Sequence, residues 1–182
     1  DRREFLRRSA VLCSVPTVSS ATARVGQAAQ GEQMWAFETD YQVESSPTIV
    51  DKTVYIGGYD EHLYAVAAES GEEEWRFETG DLVRSSPYVV DGTVYVGSYD
   101  GNLYAVAAET GEEQWRFETG DSVESSPNVV NGTVYIGSYD DNLYAVDAKS
   151  GEEQWRYESG LVKSSPTVVD ETVYVGSCDS NL

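Results

Sequence analysis

The sequence predicts an all-β protein: an incomplete β-propeller of four-stranded antiparallel blades, with about 3.75 blades in this chain. Three observations support this prediction. A tryptophan recurs every 40 residues, at Trp35, Trp75, Trp115 and Trp155. Each unit contains four short runs rich in valine, tyrosine and leucine, with turn residues between them. No unit has the 3.6-residue spacing of apolar residues that an amphipathic helix requires.

The turns indicate that consecutive strands are antiparallel. Asp91-Gly92 and Asn131-Gly132 are typical of two-residue hairpins, because both positions of such a turn need a positive φ. Asp100-Gly101-Asn102 and Thr110-Gly111-Glu112 mark the next two turns of the unit. Each unit is therefore expected to form one sheet of four consecutive strands.

The two faces of each strand indicate its position in the blade. Val94 and Tyr95 lie on opposite faces of the second strand, so both faces are expected to be covered. The fourth strand instead sets Trp115 against Arg116, and the first strand carries Pro87, which cannot donate a backbone hydrogen bond. The first and fourth strands are therefore predicted to be the edges of a sheet that packs between two copies of itself.

The units do not complete a ring within this sequence. We expect an outer strand around Trp35, three full sets of four strands, and two more strands after Lys163. Asn181-Leu182 match the start of the third strand at Asn102 and Asn142, so the sequence stops inside a strand. We expect part of a ring, with open apolar blade faces through which copies could self-associate.

The first 23 residues are expected to be an export signal. Arg2-Arg3, followed by Phe5-Leu6, resembles a twin-arginine signal, and Ala21-Thr22-Ala23 has the small-x-small pattern of a cleavage site. We therefore divide the chain into a signal peptide at 1–23, a short linker at 24–31 and a partial propeller at 32–182. The expected location is extracellular or on the cell surface, reached by the twin-arginine route.

The chain is strongly acidic, with 32 acidic and 12 basic residues and a formal charge of −20. Such a surface repels phosphate backbones and anionic lipids, so we expect neither nucleic acid nor a membrane surface as a partner. No apolar run is long enough to span a membrane. The excess of acid with little lysine is typical of halophilic proteins. We expect folding to depend on salt, because ions at about 1 M shorten the screening length to roughly 3 Å.

Few residues have the chemistry of a catalytic or metal site. His62 is the only histidine, and asparagine replaces it in the other units, so we expect a solvated loop residue and no catalytic triad. Cys178 replaces a repeating tyrosine and is expected to be buried. The turn carboxylates lack the alternating oxygen spacing of a calcium loop, so we expect at most weak cation binding. These carboxylates are Asp60, Asp100, Asp140 and Asp141. We predict no catalytic, cofactor-binding or metal-binding residue.

Function is expected where the units differ. Neighbouring units differ on the loop into the innermost strand, or along that strand, while the scaffold is uniform. Varied loops on a rigid frame are typical of binding sites; neutral drift at exposed positions is the alternative. The candidate binding rim consists of Glu44, Thr48, Leu82, Arg84, Tyr88, Ser122, Glu124, Asn128, Lys163 and Thr167.

An eleven-residue motif ends at three of the tryptophans. It reads AVAAESGEEEW at Ala65–Trp75, AVAAETGEEQW at Ala105–Trp115 and AVDAKSGEEQW at Ala145–Trp155. The motif resembles the docking motif of the PQQ-like β-propeller repeat of quinoprotein dehydrogenases and their cofactor-free relatives, and the resemblance covers residues 32–182. It implies that each tryptophan packs on the neighbouring blade beside a glycine turn. The structural docking residues are then Trp35, Gly71, Trp75, Gly111, Trp115, Gly151 and Trp155.

The resemblance also implies candidate functions. Quinone-dependent enzymes of this kind have adjacent cysteines, a calcium ion and an aspartate base, whereas this sequence has no adjacent cysteines and no aspartate that stands out from the repeat. We therefore interpret the chain as a secreted, non-catalytic scaffold or binding module for a protein or small-molecule ligand, without a cofactor. The alternatives are a fragment of a PQQ-dependent alcohol or sugar dehydrogenase, with PQQ and calcium, and a surface propeller that resembles an assembly factor.

Overall fold

The structure is a computed structural model that describes residues 33–178. These residues form fourteen β-strands and no helix, and hence no helix that could cross a membrane. The predicted signal peptide and linker lie outside the described residues. The all-β, incomplete propeller predicted from the sequence is confirmed.

The first three units each form one four-stranded antiparallel sheet in chain order, and the fourth contributes two strands. We call these sheets blades 1 to 4. Blade 1 contains β1 (Thr48–Val50), β2 (Thr53–Gly57), β3 (His62–Ala67) and β4 (Glu73–Glu78). Blade 2 contains β5 (Tyr88–Val90), β6 (Thr93–Gly97), β7 (Asn102–Ala107) and β8 (Glu113–Glu118). Blade 3 contains β9 (Asn128–Val130), β10 (Thr133–Gly137), β11 (Asn142–Asp147) and β12 (Glu153–Glu158). Blade 4 contains β13 (Thr167–Val169) and β14 (Thr172–Tyr174).

The hairpin between the first two strands of each blade has the predicted turn geometry. Asp91 and Gly92 both have positive φ, at 50° and 74°. Blade 1 makes the same turn without glycine, since Asp51 and Lys52 have φ of 48° and 72°. The paired strands therefore impose this turn even where the residue type does not favour it.

The hydrophobic core lies between the blades. One cluster joins Tyr55 and Leu63 of blade 1 to Val94 and Tyr104 of blade 2, and a second joins blades 2 and 3 in the same way. Because the middle strands bury both faces, each sheet depends on the next one to cover its apolar surface.

The repeated Ser-Ser-Pro sequence joins the inner strands. The first serine acts within a blade: the Ser125 hydroxyl donates to the Gly137 carbonyl at 3.0 Å and accepts from its amide at 2.8 Å. The second serine acts between blades: the Ser46 amide donates to the Ser86 hydroxyl at 2.8 Å, and the Ser86 amide to the Ser126 hydroxyl at 2.9 Å. The inner strands β1, β5, β9 and β13 consequently contact one another in order.

The segment around Trp35 is not a strand, so the predicted outer strand there is wrong. Its side chains still pack on blade 1, where Trp35 and Phe37 contact the cluster that includes Tyr64 and Val66. The Trp35 indole donates to the Ala68 carbonyl at 2.9 Å. An outer strand needs a third strand beside it for its backbone hydrogen bonds, and no residue between 33 and 178 supplies one.

Blade 4 is more exposed than the complete blades. Tyr174 is 50% exposed, whereas its equivalent in blade 2, Tyr95, is 4% exposed. Cys178 is exposed too, so its predicted burial is wrong. The physical reason is that the described part of the chain includes no third strand and no further blade to cover these side chains.

Candidate functional site

Two loops meet at one end of every blade. Tyr88, the first residue of β5, pairs with Tyr95 of β6, so the residues before β5 lie close to those after β6. Arg84 comes before β5 and Tyr99 follows β6. The same relation in every unit produces a group that we call the inner-end cluster. It consists of Glu44, Tyr59, Arg84, Tyr99, Glu124, Tyr139 and Lys163.

Arg84 lies at the centre of the inner-end cluster. Its Nη2 is 2.6 Å from Glu44 Oε2, and its Nη1 is 3.5 Å from Glu124 Oε1. Nη1 also donates to the Tyr99 hydroxyl at 2.9 Å. The guanidinium carbon lies 5.6 Å from the ring centre of Tyr59 and 5.7 Å from that of Tyr99, within the range of a cation–π interaction. One cation therefore links the loops of blades 1, 2 and 3.

Tyrosine hydroxyls extend the cluster towards blade 4. Tyr99 donates to Glu124 Oε2 at 2.8 Å, and Tyr139 donates to the same oxygen. Lys163 Nζ lies 4.8 Å from the ring centre of Tyr139. The charges on the loops thus alternate around the inner end, negative before blades 1 and 3 and positive before blades 2 and 4.

Contacts within the cluster favour the charged forms of Glu44 and Arg84. The Tyr59 hydroxyl, followed by Arg84, lowers the pKa of Glu44. The hydrogen bond to Tyr99 raises the pKa of Arg84, and Glu44 adds to this effect. Burial raises the pKa of Tyr59 to about 12, with a further contribution from its hydrogen bond to Glu44. Near neutral pH, the hydroxyl of Tyr59 is therefore a protonated donor beside a carboxylate and a guanidinium.

Three other predicted rim residues bond along the inner strands. The side chains of Thr48, Tyr88 and Asn128 each donate to a backbone carbonyl of the next blade, at 2.6, 3.4 and 3.2 Å. Thr167 is the equivalent residue of blade 4 and is exposed. Thr48, Tyr88 and Asn128 therefore lie on the contacts between inner strands rather than in the inner-end cluster.

Leu82 and Ser122 position the tyrosines of the cluster. Their carbonyl oxygens accept from the amides of Tyr99 and Tyr139, at 3.0 and 2.9 Å. The Ser122 hydroxyl also donates to the Tyr99 carbonyl at 2.9 Å. Both residues therefore hold the turn between the second and third strands against the loop that enters the same blade.

The tyrosines of the cluster were not among the residues predicted from the sequence. The same residue occurs at Tyr59, Tyr99 and Tyr139, so a comparison of units assigns it to the uniform scaffold. The predicted pairing of the first two strands could have identified these tyrosines. It places the residues after the second strand beside the loop before the first strand, where the units differ. His62, which we expected in a loop, is instead the first residue of β3 and stacks on Tyr64 with ring centres 5.6 Å apart.

The tryptophans of the docking motif lie between blades. The Trp75 indole donates to the Ala108 carbonyl at 3.0 Å, and a Cβ at Gly111 would lie 2.8 Å from the Trp75 ring. Residues 33–178 include no glycine turn of a further blade to cover Trp155, which is 39% exposed. Two further pairs repeat the contact, Trp35 with Gly71 and Trp115 with Gly151.

Three of the turn carboxylates, those of Asp60, Asp100 and Asp140, accept hydrogen bonds from the protein. Asp100 Oδ2 accepts from the Tyr104 hydroxyl at 2.6 Å and the Gly80 amide at 2.7 Å, and Oδ1 accepts from the Asn102 amide at 2.9 Å. Burial raises the pKa of Asp100, but these bonds together outweigh burial and lower it. Asp140 has the same surroundings. Between residues 33 and 178, no three His, Cys, Asp or Glu side chains are arranged to hold a metal ion.

Comparisons with known proteins agree with this architecture. A family model described as outer membrane protein assembly factor BamB matches residues 17–87 and 80–182. No curated protein matches the chain. The crystal structure of BamB from Moraxella catarrhalis has a TM-score of 0.75 at 22% identity, over 88% of this chain and 55% of that one. Quinohemoprotein alcohol dehydrogenase from Comamonas testosteroni has a TM-score of 0.60 at 28% identity, over 66% of this chain and 21% of that one.

A computationally designed protein, Ika4, is also similar, with a TM-score of 0.75 at 16% identity over 83% of this chain and 95% of that one. The chain spans about half the length of the BamB structure and about a fifth of the dehydrogenase. The likenesses to BamB and Ika4 show the fold alone, whereas the family model matches segments that include all four blades. The chain therefore belongs to the PQQ-like β-propeller repeat family, whose model is described as outer membrane protein assembly factor BamB.

Proposed function

We propose that the chain is an exported, non-catalytic binding module and that its inner-end cluster contacts the partner. One observation carries this proposal. Glu44, Arg84, Glu124 and Lys163 occupy a position at which the units differ in charge, and their side chains converge at one end of a uniform scaffold. Side chains that vary in charge and also contact one another favour binding over neutral drift.

A protein partner fits the chemistry of the cluster. Tyrosine rings and an arginine are the side chains that contribute most at protein interfaces, and the alternating charges offer both donors and acceptors to a polar backbone. The description of the family as an assembly factor supports a protein partner over a small molecule. The arginine-rich start of the chain supports export by the twin-arginine route to the cell surface or medium.

The inner-end cluster does not fit an acidic quinone cofactor such as PQQ. The Arg84 guanidinium lies between Glu44 and Glu124, so an anionic ligand would meet two carboxylates where it needs a free cation. This arrangement supports a non-catalytic role over a dehydrogenase fragment.

We expect Arg84→Gln to reduce capture of the partner about tenfold, which corresponds to about 1.4 kcal/mol. Without the guanidinium, Glu44 and Glu124 lose their shared cation and the tyrosine hydroxyls lose their alignment. The measurement places a photo-crosslinking benzoylphenylalanine at the exposed Asp121, on the loop that carries Glu124, and quantifies adducts on the exported protein in producing cells.

Arg116→Gln is the matched control. Arg116 also pairs with a glutamate, Glu113, at 2.9 Å, and lies 5.5 Å from the Tyr104 ring centre, but it belongs to the outer strand β8. Equal loss of adduct in both variants would contradict a role for the inner-end cluster.

Quinone absorbance and alcohol-dependent dye reduction, after purification in concentrated KCl with calcium and PQQ, would contradict the non-catalytic role.

A further inference from the structure

The hairpin turn of blade 3 carries a sequence that the enzymes of N-glycosylation recognise. Asn131-Gly132-Thr133 has the Asn-x-Thr pattern of an acceptor site. Asn131 is the one asparagine in this sequence that serine or threonine follows two residues later. We propose that the side-chain amide of Asn131 is joined to a sugar chain when the protein is exported. The proposal rests on the export that the proposed function includes, but not on the inner-end cluster.

The structure leaves space for a sugar chain at this turn. Asn131 and Gly132 are exposed, and no atom lies within 4 Å of a Cβ built at Gly132. The Asn131 side chain makes no hydrogen bond to any residue between 33 and 178. The side chains of Asn128 and Asn142, in contrast, donate hydrogen bonds within the fold. A sugar chain on Asn131 therefore displaces no contact of the described protein.

The conformation of the turn does not depend on the amide of Asn131. Asn131 and Gly132 have φ of 51° and 77°, and the equivalent residues of blade 2, Asp91 and Gly92, have φ of 50° and 74°. Aspartate occupies this position in the other three blades. The amide is therefore not needed for the fold, and aspartate is a matched replacement for it.

The turn lies at the end of blade 3 opposite the inner-end cluster. Glu124 comes before β9 and Tyr139 follows β10, whereas Asn131 lies between these two strands. The five residues of β10 span about 17 Å. The Ala148 amide donates to the Gly132 carbonyl at 2.9 Å, so the nearest loop is the one between β11 and β12. A sugar chain at this end leaves the inner-end cluster open to a partner.

The transfer reaction sets a condition on Thr133. The side-chain nitrogen of Asn131 forms a bond to the first carbon of a lipid-linked sugar and loses a proton to a base of the transferase. The bond from that carbon to the lipid phosphate breaks, and the phosphate keeps the electron pair. The transferase contacts the threonine hydroxyl, but Thr133 is buried and donates to Gln154 Oε1 at 3.1 Å. Transfer to the folded chain therefore requires local opening of the hairpin, and we expect incomplete occupancy.

The test uses exported protein from cells in which the chain occurs naturally. Tandem mass spectrometry with electron-transfer fragmentation assigns any added sugar to a residue. We expect sugar on Asn131 in part of the molecules and none on Asn128 or Asn142. Exported protein without sugar at Asn131, or with aspartate formed there by loss of ammonia instead, would overturn this proposal alone. Protein found only inside the cells would overturn the export and, with it, this proposal.

Substitutions in two blades locate the site. Asn131→Asp reproduces the turn of blade 2 and should abolish the modification. Asp91→Asn is the matched gain, because Gly92 and Thr93 follow it, and should add a second sugar chain in blade 2. Thr133→Val keeps Asn131 but should abolish the modification, whereas Thr133→Ser should retain it. Sugar that persists in Thr133→Val, or no second sugar in Asp91→Asn, would contradict the assignment.

Discussion

Gly111→Val is expected to lower the free energy of unfolding by about 3 kcal/mol or more. Gly111 has φ of +73°, and a Cβ there would lie 2.8 Å from the Trp75 ring. The ring cannot move away without losing its hydrogen bond to the Ala108 carbonyl. We therefore expect the contact between blades 1 and 2 to open, as measured by urea denaturation in concentrated KCl.

Gly92→Val is the matched control for this effect. Gly92 has φ of +74°, but no atom lies within 4 Å of a Cβ built there. It shares the backbone strain of the first variant, about 1–3 kcal/mol, without the steric clash. The difference between the two variants therefore measures the tryptophan contact, and equal losses of stability would contradict the docking role of Trp75.

Asp100→Asn is expected to destabilise the protein by about 2 kcal/mol at neutral pH. Both carboxylate oxygens accept hydrogen bonds, Oδ2 from Tyr104 and Gly80 and Oδ1 from Asn102. The amide nitrogen of an asparagine at this residue would replace one of the two oxygens. Its N–H groups would then face the backbone N–H of Gly80 or of Asn102, which are donors too. Urea denaturation at pH 7 measures the loss.

The pH dependence tests the charge of Asp100 separately. Its pKa in the folded protein is lowered from the ordinary value of 3.8, so its contribution to stability is complete above about pH 4 and is lost as the pH falls through the folded pKa. Asp100→Asn should therefore make the acid loss of stability shallower, while Asp140 retains its share. Glu112→Gln removes an exposed carboxylate on the next turn as a control, and a shallower acid loss in that variant of the same size would refute the assignment.

Local patterns predicted the blades because strands and turns depend mainly on neighbouring residues. The alternation around Val94 and the hairpin at Asp91-Gly92 are both local signals, and repetition then implied stacking, since each unit has two apolar faces. Features that depend on a distant partner were not predictable in this way. The segment at Trp35 looks like the other outer strands but lacks a strand beside it, and Cys178 lacks the neighbours that would bury it.

The candidate site was predicted only in part, for a similar reason. Differences between units identified Arg84 and Glu124, because variation is visible in the sequence itself. The tyrosines Tyr59 and Tyr99 are nearly invariant across units and acquire their role from the register that brings two loops together. The same comparison also selected Thr48, whose hydroxyl serves the contact between inner strands.

Cysteine cross-linking tests most directly whether the blades stack around a common axis. In a background without the native cysteines, Ser86→Cys with Ser126→Cys places the pair where the amide of one residue donates to the side chain of the other at 2.9 Å, close enough for a disulfide. Ser70→Cys with Thr110→Cys has the same sequence separation but lies on the outer turns, which diverge from the axis. The stacked arrangement predicts rapid intramolecular cross-linking of the inner pair and none of the outer pair; cross-linking of the outer pair, or failure of the inner pair, would contradict it.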